Sequence, residues 1–468
     1  MTRCLRPEAW LLSKPWPSWS SQICWSVEGS TMHEAPEVHK FGGSCLRDRS
    51  DLERIAHIVH EADQPVVLVV SALWGTTDRL IRAAKEPRYA GRLVNDLASH
   101  HLRFAPSLVD SPLYELFQRV LAGIETSLAS LASNDRDTVA YNRLLAAGER
   151  LSALVIAHGL VQRGIDAHPL GAEDIGLCLD GIGTARSVDL VRSAEKLDRD
   201  SFTGVPVVTG WFGEGRDGNV ALLGRGGSDH TATALGALLK AQRVVLWKDV
   251  LGIYPVNPRW GITSSPIPYL GYAEAVEFAN ADATIIHPAT VEPVYNIGIP
   301  IEIRQLAGHG QSKMKTVIGP DIEGASYVKG VACIPRVACL HVRLKYTQDA
   351  ATVLGKVFSE LQENEVRIFS FETTPNRWRL IIPQHDVKRC VELLNGHDLE
   401  PTYAYFAAML TFIGCKDAAE VQALMGEDTP LEEGLLHVTE TSAHLLTQRV
   451  DISAMLDELM TSIKASRA

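Results

Sequence analysis

The sequence lacks the marks of several large classes of protein. Its eight cysteines include no C-x-x-C pair and no His/Cys grouping at zinc spacing. That excludes a zinc-ribbon or thioredoxin-like site and gives no sign of a disulfide framework. A chain of 468 residues buries ample core without disulfides, so reduced thiols in the cytoplasm are the expectation. Positive charge is also short: 45 Lys and Arg stand against 56 Asp and Glu, a net charge of −11. A generic binder of nucleic acid or of an anionic membrane needs a cationic surface, so neither is an expected partner. A local basic pocket for a small anion stays open. The longest continuous apolar runs, such as residues 65–73, fall well short of the roughly 18 residues of a membrane span. No G-x-x-x-x-G-K-[ST] or H-E-x-x-H occurs, and Gly181-Ile182-Gly183 lacks the third glycine of a dinucleotide fingerprint.

What is present divides into three stretches. Residues 1–31 carry Trp10, Trp16, Trp19 and Trp25 among prolines and serines without helical or strand period, and read as a disordered extension with Met32 opening the folded part, an organelle-targeting peptide being the other reading. From residue 36 to about 310, short runs rich in β-branched residues (66–71, 205–209, 244–247, 299–303) alternate with amphipathic segments (50–62, 80–133, 144–163, 228–239, 273–280). Continuous apolar strands alternating with helices predict a mostly parallel sheet sandwiched by helices. After a turn-rich connection over 308–326, a β-α-β-β-α order runs through 327–398 and a similar order recurs through 399–468. These two α+β units lack polar residues clustered in glycine-rich loops, so they read as regulatory or oligomeric.

Chemistry concentrates in three loops of the large domain. The segment Lys40 to Cys45, KFGGSC, ends a strand. Gly42 and Gly43 let backbone N–H groups approach an anion beside the Lys40 charge, with Ser44 next in line; a plain strand-end turn is the bland alternative. The segment Leu223 to Thr231, LGRGGSDHT, precedes an Ala/Leu-rich helix that Ser228 or Asp229 is expected to cap. A helix N-terminus facing a loop binds carboxylate or phosphate, and Arg225 adds a bidentate contact. The third, Trp247 to Arg259, WKDVLGIYPVNPR, leaves a buried strand at its carboxyl end, where open parallel sheets bind ligands. Lys248, Asp249, Tyr254 and Arg259 are its candidates for a nucleotide, although Tyr254 and Pro255 could simply pack the loop.

KFGGSC, the Gly148–Ser152 GE-x-L-S helix, LGRGGSD-x-T and W-x-DV-x-GIY-x-x-x-PR occur in the order seen in aspartate kinases. Over about residues 38–304 the chain resembles that family of the amino-acid kinase superfamily, and the C-terminal units resemble its paired ACT domains, which are ferredoxin-like. The resemblance implies phosphoryl transfer from ATP with Mg²⁺ to the β-carboxylate of L-aspartate, at the entry to lysine, threonine and methionine synthesis. It implies that Lys40 neutralises the phosphoryl group and Asp229 organises Lys40. Arg225 would clamp an aspartate carboxylate and Glu149 take its ammonium. Ser71, Thr77, Trp211 and Ser228 would complete the substrate pocket, and Gly42, Gly43 and Ser44 would help hold nucleotide. No resident metal ligand is implied. A homo-oligomer assembled through the ACT-like units is.

The chain departs from the family pattern at several positions. Cys45 replaces Ser or Thr, Lys248 a commoner Thr, and Asn257 an Asp. Where the family often has GAKVLHP this chain reads Asp282-Ala283-Thr284-Ile285-Ile286-His287-Pro288, losing a lysine that would meet phosphate; weaker ATP binding, or compensation by Lys248, is the expectation. FETTPNRW replaces the effector segment associated with feedback by lysine or threonine. Two other readings follow from these departures: an amino-acid kinase for another small carboxylate, and a catalytically weakened kinase-like sensor of amino acids.

Overall fold

A computed structural model describes residues 35–281, 285–306, 314–322, 327–344, 349–374, 376–426 and 434–465. The N-terminal extension, Asp282 and Thr284 lie outside the described residues.

The first large unit opens with β1 (Glu37–Phe41), α1 (Arg49–His60) and β2 (Val66–Val70). Four helices follow: α2 (Thr76–Lys85), α3 (Pro87–Phe104), α4 (Leu113–Ser133) and α5 (Thr138–Val161). The chain continues through β3 (Ala167–Leu170), β4 (Thr184–Ala185), α6 (Leu190–Lys196), β5 (Val205–Thr209), β6 (Phe212–Glu214) and β7 (Val220–Leu223). It then runs α7 (Gly227–Leu239), β8 (Arg243–Lys248), β9 (Tyr269–Gly271), α8 (Tyr272–Asn280), α9 (Pro288–Tyr295), β10 (Ile301–Gln305) and β11 (Thr316–Gly319). Eight strands join in the order β3-β5-β2-β1-β8-β10-β11-β9, parallel at every pairing except β10 with β11. Between β3 and β8 in sequence, β4, β7 and β6 make a separate small sheet.

The strands read as continuous apolar runs because both faces are covered. One core joins α1–α5 to Phe41, Leu68, Val70, Val207, Val245 and Trp247. On the other face α7 packs against β1, β2 and β8. Alternation along β1 therefore sends Phe41 into the first layer and Lys40 towards α7. Helix α5 begins six residues before its apolar repeat, because Asp137 caps it by accepting from Ala140 N. It is long and apolar enough to cross a membrane by length and composition, beyond what the continuous apolar runs suggested, but 89% of that window is buried inside the protein. It is the central helix of the core.

The C-terminal part contains β12 (Gly330–Arg343), α10 (Ala350–Glu363), β13 (Ser370–Thr374), β14 (Arg377–Pro383), α11 (Val387–Gly396) and β15 (Glu400–Ile413). It ends with α12 (Ala418–Met425), β16 (Leu435–Val438), β17 (Ser442–Thr447) and α13 (Ile452–Ala465). The two α+β units share one antiparallel sheet, β13-β14-β12-β15-β17-β16. Both 14-residue strands run through the two halves. Val331 and Cys333 of β12 pack with Leu410, Leu456 and Leu459, whereas Ala338, Leu340 and Val342 pack with Leu361, Trp378 and Leu394. Arg336, at φ +57°, marks the change of side between those halves.

Candidate active site

Three charged side chains meet at the N-terminus of α7. Lys40 Nζ lies 2.6 Å from Asp229 Oδ1, and Lys248 Nζ lies 2.5 Å from Asp229 Oδ2. Lys40 and Asp229 are 6% and 4% exposed, so neither charge is screened by bulk water. The Lys40 contact is an ion pair rather than a well-aimed hydrogen bond, since Oδ1 has no directed donor. Burial works to raise the Asp229 carboxyl, but Lys248 and Lys40 together override it and hold it near about 2. Burial also presses the Lys40 ammonium below the ordinary lysine range, against the pull of Asp229.

The helix begins differently from the sequence expectation. Its N-cap is Gly226 at φ +77° with no side-chain cap, which places Ser228 and Asp229 inside the first turn. A left-handed cap favours glycine. Gly227 is fixed by contact instead: a Cβ there would stand 2.6 Å from Trp211 Cδ1 and from Leu223 Cβ. Freed from capping, Ser228 Oγ accepts from Ser71 Oγ at 3.0 Å, and the Asp229 carboxylate is released to the lysines.

Glu149 comes from the middle of α5. Ala72 N donates to its Oε1 at 3.1 Å, while its Oε2 is buried without a partner. At 3% exposed, burial pushes its carboxyl up to about 8, the nearby Lys40 opposing this weakly. A buried carboxyl with a raised pKa and an unpartnered oxygen, set in a cleft, is a candidate binding group.

These groups line one cleft of about 1090 Å³, together with Gly43, Ser71, Thr77, Trp211, Arg225 and Ser228. Thr77 sits in the first turn of α2 behind Gly75 at φ +74°. Trp211 holds φ +74°, a strained geometry for a non-glycine residue, and its backbone N donates to Thr231 Oγ1 at 3.1 Å. Arg225 is exposed at the cleft with no acidic partner among the described residues.

Other expected residues are not gathered there. Gly42 and Ser44 flank the cleft without lining it, although the Lys40 ammonium passes close over Gly42. Asp249, Tyr254 and Arg259 stand on the loop after β8, outside the lining. The Asp249 carboxylate is 3.8 Å from Arg47, and Arg259 donates to the Cys333 carbonyl at 3.4 Å. Asn257 caps the short turn Pro258–Trp260 by accepting from Arg259 N at 3.1 Å. The structure adds residues that no local motif marks: Trp74 and Glu277 from the large unit, Arg367 from the loop before β13, and His437 and His444 from the C-terminal sheet; His287, from the 282–288 segment, lines the cleft as well. They arrive by tertiary folding, which places α8 against β15.

No group of three His, Cys, Asp or Glu side chains suited to a metal ion occurs among the described residues. Both Asp229 oxygens are occupied by lysines, so this carboxylate fits an ammonium-neutralising role and not a cation cage. The six described cysteines are buried and unpaired.

The model of the amino acid kinase family matches residues 37–305. An aspartokinase of Geobacillus stearothermophilus is 28% identical over 330 residues, 68% of this chain and 68% of that protein. The lysine-sensitive aspartokinase 3 of Escherichia coli (strain K12) is 30% identical over 275 residues, covering 56% of this chain and 60% of that one. Among solved structures, E. coli aspartokinase III in complex with aspartate and ADP superposes with a TM-score of 0.73 at 22% identity, covering 91% of this chain and 99% of that chain. Clostridium acetobutylicum aspartate kinase gives 0.72 at 19% identity, covering 92% and 100%. Both structures share the fold over most of the chain.

Proposed function

The chain belongs to the amino acid kinase family, and from that premise we propose that it is an aspartate kinase. The reaction is transfer of the γ-phosphoryl group of ATP to the β-carboxylate of L-aspartate, giving 4-phospho-L-aspartate. The observation that carries this reading is the meeting, in one cleft, of an orphaned buried carboxylate with a Lys-Asp-Lys cluster at a helix N-terminus. An amino acid needs an anion for its ammonium and a cation for its carboxylate. A nucleotide needs concentrated positive charge.

Glu149 receives the substrate ammonium through its free Oε2, and Arg225 clamps the α-carboxylate. Thr77, Trp211, Ser71 and Ser228 shape the pocket. The β-carboxylate is already ionised at neutral pH, so no general base is required. One of its oxygens forms the new bond to phosphorus as the bond from the γ-phosphorus to the bridging oxygen breaks, and ADP leaves with that electron pair. Lys40 and Lys248 face the charge that develops on the phosphoryl oxygens, while Asp229 fixes both ammonium groups so that neither must reorganise. Gly42, Gly43 and Ser44 offer backbone donors beside Lys40. The remainder of the nucleotide extends towards Asp249, Tyr254 and Arg259 beyond the end of β8. Mg²⁺ arrives with the nucleotide as the Mg–ATP substrate. Lys248 supplies the charge that the family lysine absent from the 282–288 segment would bring. The enzyme works in the cytoplasm at the entry to lysine, threonine and methionine synthesis, as a homo-oligomer assembled through the C-terminal sheet.

The test is trapping of the acyl phosphate as a hydroxamate with ATP, Mg²⁺ and aspartate, glutamate or acetylglutamate in parallel. Product with aspartate alone is expected. No product with aspartate, or equal product with all three, overturns the reading.

A further inference from the structure

Helix α9 has a defect in its first turn, and the residue next to Asp229 fills it. In a regular helix the Ala289 carbonyl would accept from the N–H of residue 293. That residue is Pro293, which has no N–H. His230 Nδ1 instead lies 2.5 Å from the Ala289 carbonyl oxygen. The other ring nitrogen is committed as well: Val188 N donates to His230 Nε2 at 2.9 Å. A backbone N–H can only donate, so Nε2 must be the bare nitrogen and Nδ1 must carry the proton. The imidazole is 2% exposed and neutral, in a tautomer fixed by its two partners.

We propose that His230 is a positioning residue for phosphoryl transfer, clamping the Asp229-bearing first turn of α7 between the 178–188 segment and the N-terminal end of α9. This rests on the aspartate-kinase reading and extends it. The clamp joins both sides of the cleft. Ser228 and Asp229 precede His230 on one side, and His287 and Pro288, which also line the cleft, precede Ala289 on the other. The His287 side chain accepts from Ala289 N at 3.3 Å, so the carbonyl and the N–H of one residue are held by two histidines. Gly226 lies under His287 so closely that a Cβ there would stand 2.8 Å from His287 Cβ. A shift of α9 therefore passes directly to the turn that holds Asp229 against Lys40 and Lys248.

The ring also confers a proton sensitivity. A second proton on His230 would set an N–H against the Val188 N–H. The charged and titratable groups facing the ring are Asp180 on the 178–188 side, which favours the cation, and His287 on the α9 side, which opposes it; burial opposes it more strongly than either.

Steady-state hydroxamate assays on the full chain with His230→Leu and His230→Gln test the role. Glutamine offers an N–H donor and a carbonyl acceptor to the same two partners and takes up no proton near neutrality. His230→Leu is expected to lower kcat about tenfold to a hundredfold with a smaller change in KM, as misplacement of reacting groups does. His230→Gln is expected to restore most of that loss and to flatten the acid side of the wild-type kcat profile. A folded His230→Leu with wild-type kcat, or a His230→Gln no better than it, overturns the positioning role. The tautomer is read separately by ¹⁵N-histidine NMR, with the signal assigned by its disappearance in His230→Gln. A ring bare at Nδ1 overturns the clamp whatever the activity. Absence of product from the wild type overturns the aspartate-kinase reading, and the catalytic role of the clamp with it, while a ring protonated at Nδ1 still bears out the clamp as a contact.

Discussion

Lys248 reaches from the last position of β8 to place its ammonium 2.5 Å from Oδ2 of Asp229, nineteen residues earlier in the chain. With Lys40 on Oδ1, one carboxylate is shared by two cations and the cluster keeps a net positive charge. In the proposed reaction that surplus faces the phosphoryl group. Lys248→Thr removes it while leaving the Lys40–Asp229 pair, so kcat is expected to fall roughly a hundredfold, the scale of losing one preorganised charge-stabilising group, and KM for ATP to rise. Unchanged kinetic constants in the hydroxamate assay would show that Lys248 only supports Asp229.

Asp229→Asn does the opposite and leaves two ammonium groups in a buried site without their anion. Breaking a buried pair from one side costs about 3–5 kcal/mol, and activity is expected to disappear with it. The pH dependence has a definite sign. The carboxyl is near about 2 in the folded protein and 3.8 in the reference state, so its stabilisation is complete above pH ~4 and is lost as pH falls through ~2. Urea unfolding should therefore show wild type and Asp229→Asn furthest apart above pH ~4 and converging below it. A constant gap down to pH ~2 would sink the assignment.

Glu149 runs the other way. Its carboxyl is held up to about 8 against a reference of 4.5, so the folded protein keeps a proton that the unfolded chain releases. The penalty begins as pH passes 4.5 and is complete above about 8. Glu149→Gln is thus expected to gain stability relative to wild type as pH rises through that window, while losing affinity for aspartate. In the wild type, a bound ammonium ionises Glu149, so aspartate binding below pH ~8 should release close to one proton. Calorimetry in buffers of different ionisation enthalpy measures it; proton uptake, or none, contradicts the role.

Lys40, Arg225 and Asp229 were legible in sequence because they sit in or beside glycine-marked loops, whereas Glu149, in the middle of α5, was marked only by the family resemblance. Lys40, Glu149, Arg225 and Asp229 meet in one cleft, although the capping expected of Ser228 or Asp229 belongs to Gly226. Asp249, Tyr254 and Arg259 read as strongly but lie outside the lining of that cleft, on a loop that is also the bridge to the C-terminal sheet: Val331 N donates to the Pro255 carbonyl and Val256 enters that sheet's core. The first half of β12 runs through Pro335, a residue that argues against strand. His437 and His444, from a different sheet, carry no local pattern at all. Their place in the cleft depends on packing that no spacing rule reports.

The join between the two sheets yields the last prediction. Lys329 Nζ lies 2.6 Å from Glu274 Oε2, and the same oxygen accepts from Gly271 N at 2.7 Å. Lys329 is 5% exposed and Glu274 8%. The pair ties the start of α8, whose far end lines the cleft at Glu277 and Asn280, to the chain just before β12. Replacing only the cation strands a buried carboxylate, so Lys329→Met should cost about 3–5 kcal/mol and lower the thermal midpoint. Replacing both partners removes the stranded charge, and Lys329→Met combined with Glu274→Leu should recover most of the loss. Helix α8 would then still pack, but without the ion pair that fixes its angle, so the double variant should regain stability without regaining full activity. Thermal melts read alongside hydroxamate assays separate the two effects. Full recovery of both would make the pair a matter of stability alone, and failure of the double variant to recover stability would show that the Gly271 contact, not the ion pair, is what Glu274 supplies.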